Sequence, residues 1–492
     1  MAGTKGGTLK LERLNPIHRT CAVMCIIGMS CSIWSVTVVT SQLMAPASPT
    51  TNPVDLQVLH EMMYAMYYEY DWATQVPDPC VSSPQGIICE ADPVTGVLFV
   101  TQMQFGFISP IANIIPCSAN ASIPASIANL TRLTSLAFYS CFTNQTTTLP
   151  PELFLLGPSL RLLSFTQNPA LSGPLPAGIA HLTGLQRMVL SQNSLHGTIP
   201  SELTTLPSLA QLDLSHNQFS GAIPPTFGAM DSLINLDLRY NALDGEFPVS
   251  LAQEAHNLQR LALSHNNLSG ALPDTFTGLQ SLTFLDLSSN ELTGALPPSL
   301  GTLTHLEDLF LNNNRFNSAI PESITELKSL VRLDLSSCAF DGLIPSSLNH
   351  LESLRFFSVS NNRLSGPIPS SLASLPVLFT LNLDGNELTG PVPFPASFVQ
   401  KMGRNLQLKE NAGLCYSPQL VIIKLLLPGL KQCPESVLVP VTTTAPPPTS
   451  KDSPSPGSSQ LPNGAPPAHP SDSSPARIFV AASILCFLSM ST

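Results

Sequence analysis

Four aspartates in the middle of the chain have the side chains and spacing to do chemistry. Each lies between two leucines of the same short motif: Asp213, Asp237, Asp286 and Asp334. Carboxylates near His216 and His265 could act in general acid–base catalysis. An acid–base site also needs a pocket, however, and a row of aspartates that repeats together with its leucines indicates a scaffold. We therefore predict that the protein is not an enzyme.

Other chemical motifs are missing from the sequence. It contains no phosphate-cradling GxxxxGKS segment, no GxGxxG loop, and neither HExxH nor CxxC spacing, so we predict no cofactor and no metal. The formal net charge of -11 and the acidic isoelectric point near 5.3 give no basic surface for nucleic acid. We predict protein partners and no nucleic acid.

A repeat of 24 or 25 residues occupies positions 130–393. Its pattern, LxxLxxLxLxxNxLxGxIP, is plain in LTFLDLSSNELTGALP, Leu282 to Pro297. A degenerate earlier turn reaches Cys141, which gives about eleven turns. The asparagine of the pattern, replaced once by Cys338, recurs at Asn168, Asn193, Asn217, Asn241, Asn266, Asn290, Asn314, Asn362 and Asn386.

Each turn places the two leucines of its LxL segment on one face of a short strand. One turn cannot bury that apolar row alone, whereas stacked turns build a continuous core and a curved parallel sheet. The sequence predicts an α/β solenoid, a leucine-rich-repeat superhelix or horseshoe with the parallel sheet on the concave face and disulfide-closed caps. A face on the order of 50 Å long suits a protein or peptide.

The asparagine row itself is expected to be structural. A side-chain amide inside a solenoid turn can satisfy buried backbone groups. Cys338 would then be a buried, unreactive thiol that replaces one amide.

Cysteine usage indicates an oxidising compartment. Four of the 11 cysteines lie in apolar segments at the two ends, which leaves three pairs and Cys338. We predict Cys80–Cys89, close in sequence after a short helix, Cys117–Cys141 between the N-terminal cap and the first turn, and Cys415–Cys433 at the far end. Six cysteines allow fifteen pairings, so the spacing alone leaves the others open.

Both ends of the chain resemble processing signals. Basic residues, an apolar stretch from Cys21 to Val39 and small residues at 41–47 predict a signal peptide over 1–47, or alternatively an uncleaved signal anchor. The apolar tail 478–492 follows the small triplet Asn463 to Ala465 and a polar spacer, which predicts a GPI anchor attached at Asn463. A short transmembrane anchor is the alternative.

Between these signals we predict an N-terminal cap at 48–129, repeats at 130–393, a C-terminal cap at 394–433 and a Pro/Ser/Thr-rich disordered stalk at 434–477. This order would tether the protein through a lipid to the outer side of the plasma membrane. Four N-glycosylation sequons fit a secreted surface: Asn120, Asn129, Asn144 and Asn267.

The residues informative about binding are those on the strand face that the repeat does not require. Arginine and exposed aromatic side chains are common anchors of protein interfaces. The alternative is that the phenylalanines only pack on neighbouring strands. The candidates for protein binding are Phe310, Arg332 and Phe356 on successive turns, with Arg355, Tyr240 and Phe284.

The repeat, with its Gly and Ile-Pro, resembles the plant class of extracellular leucine-rich repeats. The segments DWATQVPDPC, LAFYSC and Leu388 to Cys415, outside the regular repeats, look like those of the Too Many Mouths family of receptor-like proteins, with Piriformospora-insensitive relatives next. The likeness covers roughly residues 55–415. It implies a co-receptor that pairs with ERECTA-family receptor kinases and modulates perception of secreted cysteine-rich peptides in stomatal or epidermal patterning.

Other functions remain open at this point. Soluble plant repeat proteins similar to this one inhibit cell-wall-degrading enzymes, and the general receptor-like class also serves immunity and symbiosis. A structural wall protein is a third possibility, which only the short stalk suggests. The predicted membrane tether favours the co-receptor.

Overall fold

The computed structural model describes residues 50–67, 71–82, 84, 86–106, 116–418 and 429–434. The predicted signal peptide, the stalk beyond its first residue, the apolar tail and Asn463 lie outside these residues. Among the residues described, no helix combines the length and the apolar character needed to cross a bilayer.

Short strands and 3-10 helices alternate along the chain. The α-helices are α1 (Pro53–Met66), α2 (Trp72–Gln75), α3 (Pro79–Ser82), α4 (Val249–Glu254) and α5 (Ala396–Met402). The 3-10 helices are Ala125–Asn129, Pro151–Ser159, Ala177–His181, Ser201–Thr205, Pro225–Ala229, Pro298–Thr302, Glu322–Glu326, Ser346–His350, Ser370–Ser374 and Gly403–Asn405. The strands are β1 (Ile87–Ala91), β2 (Leu98–Gly106), β3 (Ser135–Tyr139), β4 (Leu162–Thr166), β5 (Asn168–Gly173), β6 (Arg187–Val189), β7 (Asn193–Gly197), β8 (Gln211–Asp213), β9 (Gln218–Ala222), β10 (Asn235–Asp237), β11 (Ala242–Asp244), β12 (Arg260–Ala262), β13 (Ser269–Ala271), β14 (Phe284–Asp286), β15 (Glu291–Gly294), β16 (Asp308–Phe310), β17 (Arg315–Ala319), β18 (Arg332–Asp334), β19 (Ala339–Asp341), β20 (Phe356–Ser358), β21 (Ser365–Gly366), β22 (Thr380–Asn382), β23 (Glu387–Pro391), β24 (Leu406–Gln407), β25 (Gly413–Tyr416) and β26 (Lys431–Gln432).

The repeats form the predicted solenoid, so the fold class is confirmed. Within the described residues, 14 strands make one sheet in the order β1-β2-β3-β4-β6-β8-β10-β12-β14-β16-β18-β20-β22-β24. All pairs after the β1–β2 hairpin are parallel and in register, so that Leu309 lies between Leu285 and Leu333. The sheet extends beyond residues 130–393 at both ends, because β2 and β24 pair with the first and last repeat strands.

The core is a column of apolar side chains that runs through all turns. The central leucines of the strands are fully buried, as are the phenylalanines two residues after the repeat asparagine, such as Phe316 and Phe340. The rings of Phe316 and Phe340 stack at 6.0 Å. The leucines of one turn are therefore buried only because the neighbouring turns pack against them.

Besides the main sheet, the turns contain 3-10 helices and short secondary sheets. The strands that follow the repeat asparagine pair between successive turns. They form three four-stranded sheets, such as β13-β15-β17-β19. The second row of strands ends near the repeat glycine, and Gly294 there has φ +80°, a conformation that favours glycine. The sequence pattern predicted the turn at this glycine but not the strands before it.

The N-terminal cap covers the open end of the sheet. Helix α1 begins at Pro53, and the Asn52 side chain caps it by accepting from the N–H groups of Val54 and Asp55. The Asp55 carboxylate is buried and accepts from the Val100 N–H at 2.8 Å, which fixes α1 to β2. Burial raises the pKa of this carboxyl group.

Three disulfides close the two ends, with the predicted partners. Cys80–Cys89 joins α3 to β1, and Cys117–Cys141 joins the cap to the turn after β3. Cys415–Cys433 joins β25 to the residue after β26. Cys338 is the free cysteine of the described residues.

The repeat asparagines form a ladder inside the solenoid. The Asn290 side chain accepts from the Leu268 N–H at 3.0 Å and donates to the carbonyl oxygens of Leu263 and Leu287 at 3.0 Å each. Asn411, which lies beyond the predicted repeats, makes the same bonds one turn after Asn386. These asparagines therefore satisfy backbone groups of two successive turns.

Cys338 occupies one step of this ladder. Its thiol donates weakly to the carbonyl oxygens of Leu311 and Ser336 at 3.5 Å, and it offers no oxygen to the backbone. Burial raises the pKa of Cys338 to about 11. Since the thiolate is the reactive form of cysteine, this residue is a weak nucleophile.

Candidate protein-binding face

Strand register arranges the concave side chains in columns. The first column is made of the residues directly before the central residue of each strand. They are Gln211, Asn235, Arg260, Phe284, Asp308, Arg332 and Phe356. The second column is made of the residues directly after the central residue. They are Asp213, Asp237, Ala262, Asp286, Phe310, Asp334 and Ser358. Neighbours within a column are about 4.8 Å apart along the backbone, so their side chains contact one another.

The aspartates of the second column bond to their own strands. Asp286 accepts from the N–H and the hydroxyl of Ser288, at 3.1 and 2.6 Å, and Asp334 does the same with Ser336. Burial raises the pKa of Asp334. In the described residues no group of three acidic, histidine or cysteine side chains is arranged to hold a metal ion. The bonds of this row fit the predicted scaffold role.

Four candidate residues lie together on β14 to β20, and we call Phe284, Phe310, Arg332 and Phe356 the aromatic–arginine patch. The Phe284 and Phe310 rings are tilted with centroids 5.8 Å apart. The Arg332 guanidinium lies 5.7 Å from the Phe310 centroid, and Arg332 and Phe356 are direct neighbours in the first column. The three phenylalanines are half-buried, so they pack on neighbours and still expose ring area.

Salt bridges and ring contacts hold the arginines of this region. Arg332 makes a bidentate bond to Asp308, with both distances 2.5 Å. The Arg260 guanidinium stacks 3.5 Å over the Phe284 ring, and burial lowers its pKa. Such contacts restrict the arginine side chains, which lowers the entropy lost when a partner binds.

Arg355 lies beside the patch and is exposed. Phe379, one turn further on, aligns with Arg355 through the bond from the Phe379 N–H to the Arg355 carbonyl. Phe379 is 63% exposed, more than any other described phenylalanine, tyrosine or tryptophan. The apolar surface therefore extends from the patch towards the C-terminal end of the solenoid.

Tyr240 lies apart from the patch, in a different column. It precedes the ladder residue Asn241 and stacks between His216 and His265, with centroid distances of 4.2 and 4.1 Å. Tyr240 and both histidines can each be singled out from the sequence, and each precedes a ladder asparagine by one residue. Their stacking was not predicted, because it depends on contacts between turns.

An open groove follows the edge of the sheet where the strands begin. Its volume is about 670 Å³, and it crosses five turns. Polar side chains dominate the lining, among them Gln186, Arg187, Asn257 and Gln259. Serine and asparagine side chains on its wall bond to carbonyls of the preceding turn, as Asn257 does to Asp231 at 2.8 Å. The groove is a second concave feature, separate from the patch.

The sequon asparagines are all exposed: Asn120, Asn129, Asn144 and Asn267. Three of them lie near the N-terminal cap. Asn267 directly follows ladder residue Asn266, outside the patch. Glycans at these positions would leave the aromatic–arginine patch open.

Comparison with known proteins places this fold among the leucine-rich repeats. The family model described as Leucine rich repeat matches residues 245–292, 256–316 and 328–388. A second model with the same description matches residues 208–230. The protein is thus a leucine-rich-repeat solenoid with a concave face that displays aromatic and arginine side chains.

More particularly, the chain is similar to plant leucine-rich-repeat receptor-like proteins. It is 40% identical to Receptor like protein 29 of Arabidopsis thaliana over 149 residues, which are 30% of this chain and 31% of that protein. It is 36% identical to Piriformospora indica-insensitive protein 2 of the same plant over 119 residues, 24% of this chain and 27% of that protein. The match spans less than a third of either relative.

Solved structures similar to this one include a plant peptide hormone receptor. The plant peptide hormone receptor RGFR1 in complex with RGF2 aligns with a TM-score of 0.53 and 34% identity, over 60% of this chain and half of that one. The PEPR1–AtPEP1 structure aligns with a TM-score of 0.59 and 27% identity, over 74% of this chain and 52% of that one. The solenoid thus aligns with about half of each of these two structures.

Proposed function

We propose that this protein is a non-enzymatic, membrane-tethered receptor-like protein of the Too Many Mouths type. It acts as a co-receptor that binds an ERECTA-family-like receptor kinase ectodomain and shapes a site for a secreted cysteine-rich peptide in epidermal or stomatal patterning. The observation that carries the binding role is the aromatic–arginine patch, where half-exposed rings and a salt-bridged arginine lie contiguously on the concave face. The partner and the peptide class rest on the family resemblance.

The patch has the properties of an interface centre. Aromatic and arginine side chains dominate the binding energy of many interfaces, especially where their neighbours exclude water. Here Asp308 and Phe310 already hold Arg332, and the buried strand leucines fix the backbone beneath. A partner would therefore meet a largely preformed surface.

The double variant Arg332→Gln/Phe356→Ala should weaken binding of the kinase ectodomain at least about tenfold, because it removes one charged and one aromatic anchor. Calorimetry with purified ectodomains, with and without the cysteine-rich peptide, measures this effect. The peptide should change the affinity of the wild-type pair, since both proteins would contribute to its site.

Arg315→Ala is a matched control for this variant. Arg315 is also salt-bridged, to Glu291 at 3.2 Å, but lies on β17 in a secondary sheet. It should bind like wild type. Absence of any association between the wild-type ectodomains, or equal affinity of the patch variant and the control, would argue against the proposal.

Membrane attachment is a separate part of the proposal. Phosphatidylinositol-specific phospholipase C should release the protein from intact cells if a glycolipid is attached at Asn463. Asn463→Trp is the variant to compare, since a GPI-attachment site requires a small residue. Retention on treated cells would instead favour the transmembrane alternative.

Inhibition of cell-wall-degrading enzymes is the second candidate function. The long, partly polar groove at the edge of the sheet is the feature that favours it. Loss of polygalacturonase activity on mixing with the purified protein would support this function, and normal association with the kinase ectodomain would then be unexpected.

A further inference from the structure

A column of side chains marks the place where the chain enters each concave strand, and we call it the entry column. From β6 onwards its members lie two residues before the central residue of the strand. Each donates its N–H to the carbonyl oxygen at the same place one turn earlier, as Phe379 does to Arg355 at 2.9 Å. The members are Gln186, Ala210, Ile234, Gln259, Thr283, Glu307, Val331, Arg355 and Phe379. Successive members are therefore about 4.8 Å apart along the backbone.

The last members of the entry column differ from the earlier ones. Most earlier members are polar or small, so the solenoid requires no large apolar side chain there. Arg355 is exposed, Phe379 is the most exposed aromatic residue described, and Val377, two residues before it, is 46% exposed. Arg404, also exposed, takes the corresponding place one turn later, because β24 continues the parallel register of β22. We call Arg355, Val377, Phe379 and Arg404 the C-terminal rim.

The two arginines of the C-terminal rim have no acidic partner. Four other arginines of the described residues form salt bridges, as Arg332 does with Asp308. In the same part of the chain, the side chains of Arg355 and Arg404 make neither a salt bridge nor a hydrogen bond. Each guanidinium group has five N–H donors, which a partner can reach without breaking an existing bond.

The C-terminal rim is positively charged in a protein whose formal net charge is -11. The three segments that carry it are residues 351–357, 375–381 and 401–406. Their basic side chains are Arg355, Lys401 and Arg404, and Glu352 is their one acidic side chain. None of the four sequons lies in these segments. Arginine stays charged throughout the physiological pH range, so the positive charge of the rim does not depend on pH.

We propose that the C-terminal rim is a docking surface for an acidic segment of a partner protein, in which carboxylates flank an apolar side chain. Arg355 and Arg404 come before and after Phe379 in the order of the turns. Their guanidinium groups can therefore bind carboxylates while Phe379 and Val377 cover the apolar side chain between them.

The composition of the rim favours a protein segment over the other anionic partners. A small anion would have no use for an exposed ring and an exposed valine. A lipid surface would need a larger apolar area, because stable membrane binding takes more than two apolar side chains and a few charges. The chemistry of the rim does not depend on the co-receptor role.

The test uses the whole secreted protein and the peptide EELFEE, labelled with fluorescein at its N-terminus and amidated at its C-terminus. In fluorescence anisotropy, Arg355→Gln/Arg404→Gln should weaken binding at least about tenfold, since two charge-assisted contacts are lost. Phe379→Ala should also weaken the binding of EELFEE, but it should leave the binding of EEGGEE unchanged. Added salt should weaken the binding of both peptides, because the charges are exposed.

Arg363→Gln is the matched control. Arg363 is exposed and without a salt bridge, but it directly follows ladder residue Asn362 and lies outside the entry column. This variant should bind EELFEE like wild type, and the uncharged peptide QQLFQQ should bind at least about tenfold more weakly than EELFEE.

Three results would overturn the proposal. They are the absence of EELFEE binding, equal affinity for EELFEE and QQLFQQ, and unchanged affinity in the double arginine variant. Binding to phosphatidylserine vesicles but not to EELFEE would be an instance of the first result and would assign the rim to a membrane. Neither the kinase ectodomain nor its peptide takes part in this test, so a negative result leaves the co-receptor role to its own experiment.

Discussion

Asn290→Ala should lower the free energy of unfolding by roughly 3 kcal/mol, because it leaves several buried backbone groups without a partner. The lost bonds are those to the Leu268 N–H and to the carbonyl oxygens of Leu263, Leu287 and Ser288. Water cannot replace the amide in a position that is 8% exposed. Urea unfolding of the secreted protein, followed by circular dichroism, measures the change.

Two other variants test whether the loss of stability is due to the ladder. Asn312→Ala changes a half-buried asparagine of the next turn that is not part of the ladder, and it should shift the free energy of unfolding by less than about 0.5 kcal/mol. Cys338→Asn should stabilise the protein by about 1 kcal/mol, because it supplies the missing amide to the ladder. If Asn290→Ala were as mild as Asn312→Ala, the ladder would not be structural.

Gly301→Ala should destabilise the solenoid by about 3 kcal/mol through steric overlap alone. Gly301 lies in the 3-10 helix Pro298–Thr302, and a Cβ atom there would be 2.2 Å from the Ser323 carbonyl oxygen of the next turn. That atom belongs to the backbone of a packed neighbour, so it cannot move aside cheaply. The loss should appear in the same urea unfolding measurement and as reduced secretion.

Gly178→Ala provides the comparison within the same kind of element. Gly178 lies in the 3-10 helix Ala177–His181, and its added Cβ would meet Phe154 at 3.7 Å, an ordinary contact. This variant should change stability little. Similar losses in both variants would show that the overlap with the Ser323 carbonyl oxygen does not decide the effect.

Most of the scaffold could be predicted because the repeat is local and regular. The spacing of leucines determines which side chains are buried, and the recurring asparagine marks the same place in every turn. The ladder therefore followed from the pattern, apart from Asn411 in the C-terminal cap. The secondary sheets could not be predicted, because residues such as those of β17 carry no alternating apolar pattern.

The candidate binding face was predictable only in part. Departures from the repeat identified Phe310, Arg332 and Phe356, and strand register confirms them as neighbours. The sequence did not reveal that Asp308 holds Arg332, because the two residues are 24 positions apart and the contact requires the partner strand.

The sequence by itself thus determined the solenoid, its caps and the set of unusual concave residues, since each depends on spacing within one turn or on the cysteines. Tertiary structure alone decided which of those residues act together. Stacking the turns brings His216 and His265 to the two faces of Tyr240 and leaves that stack apart from the aromatic–arginine patch. Contacts between turns depend on register and side-chain direction, which the pattern of a single turn does not contain.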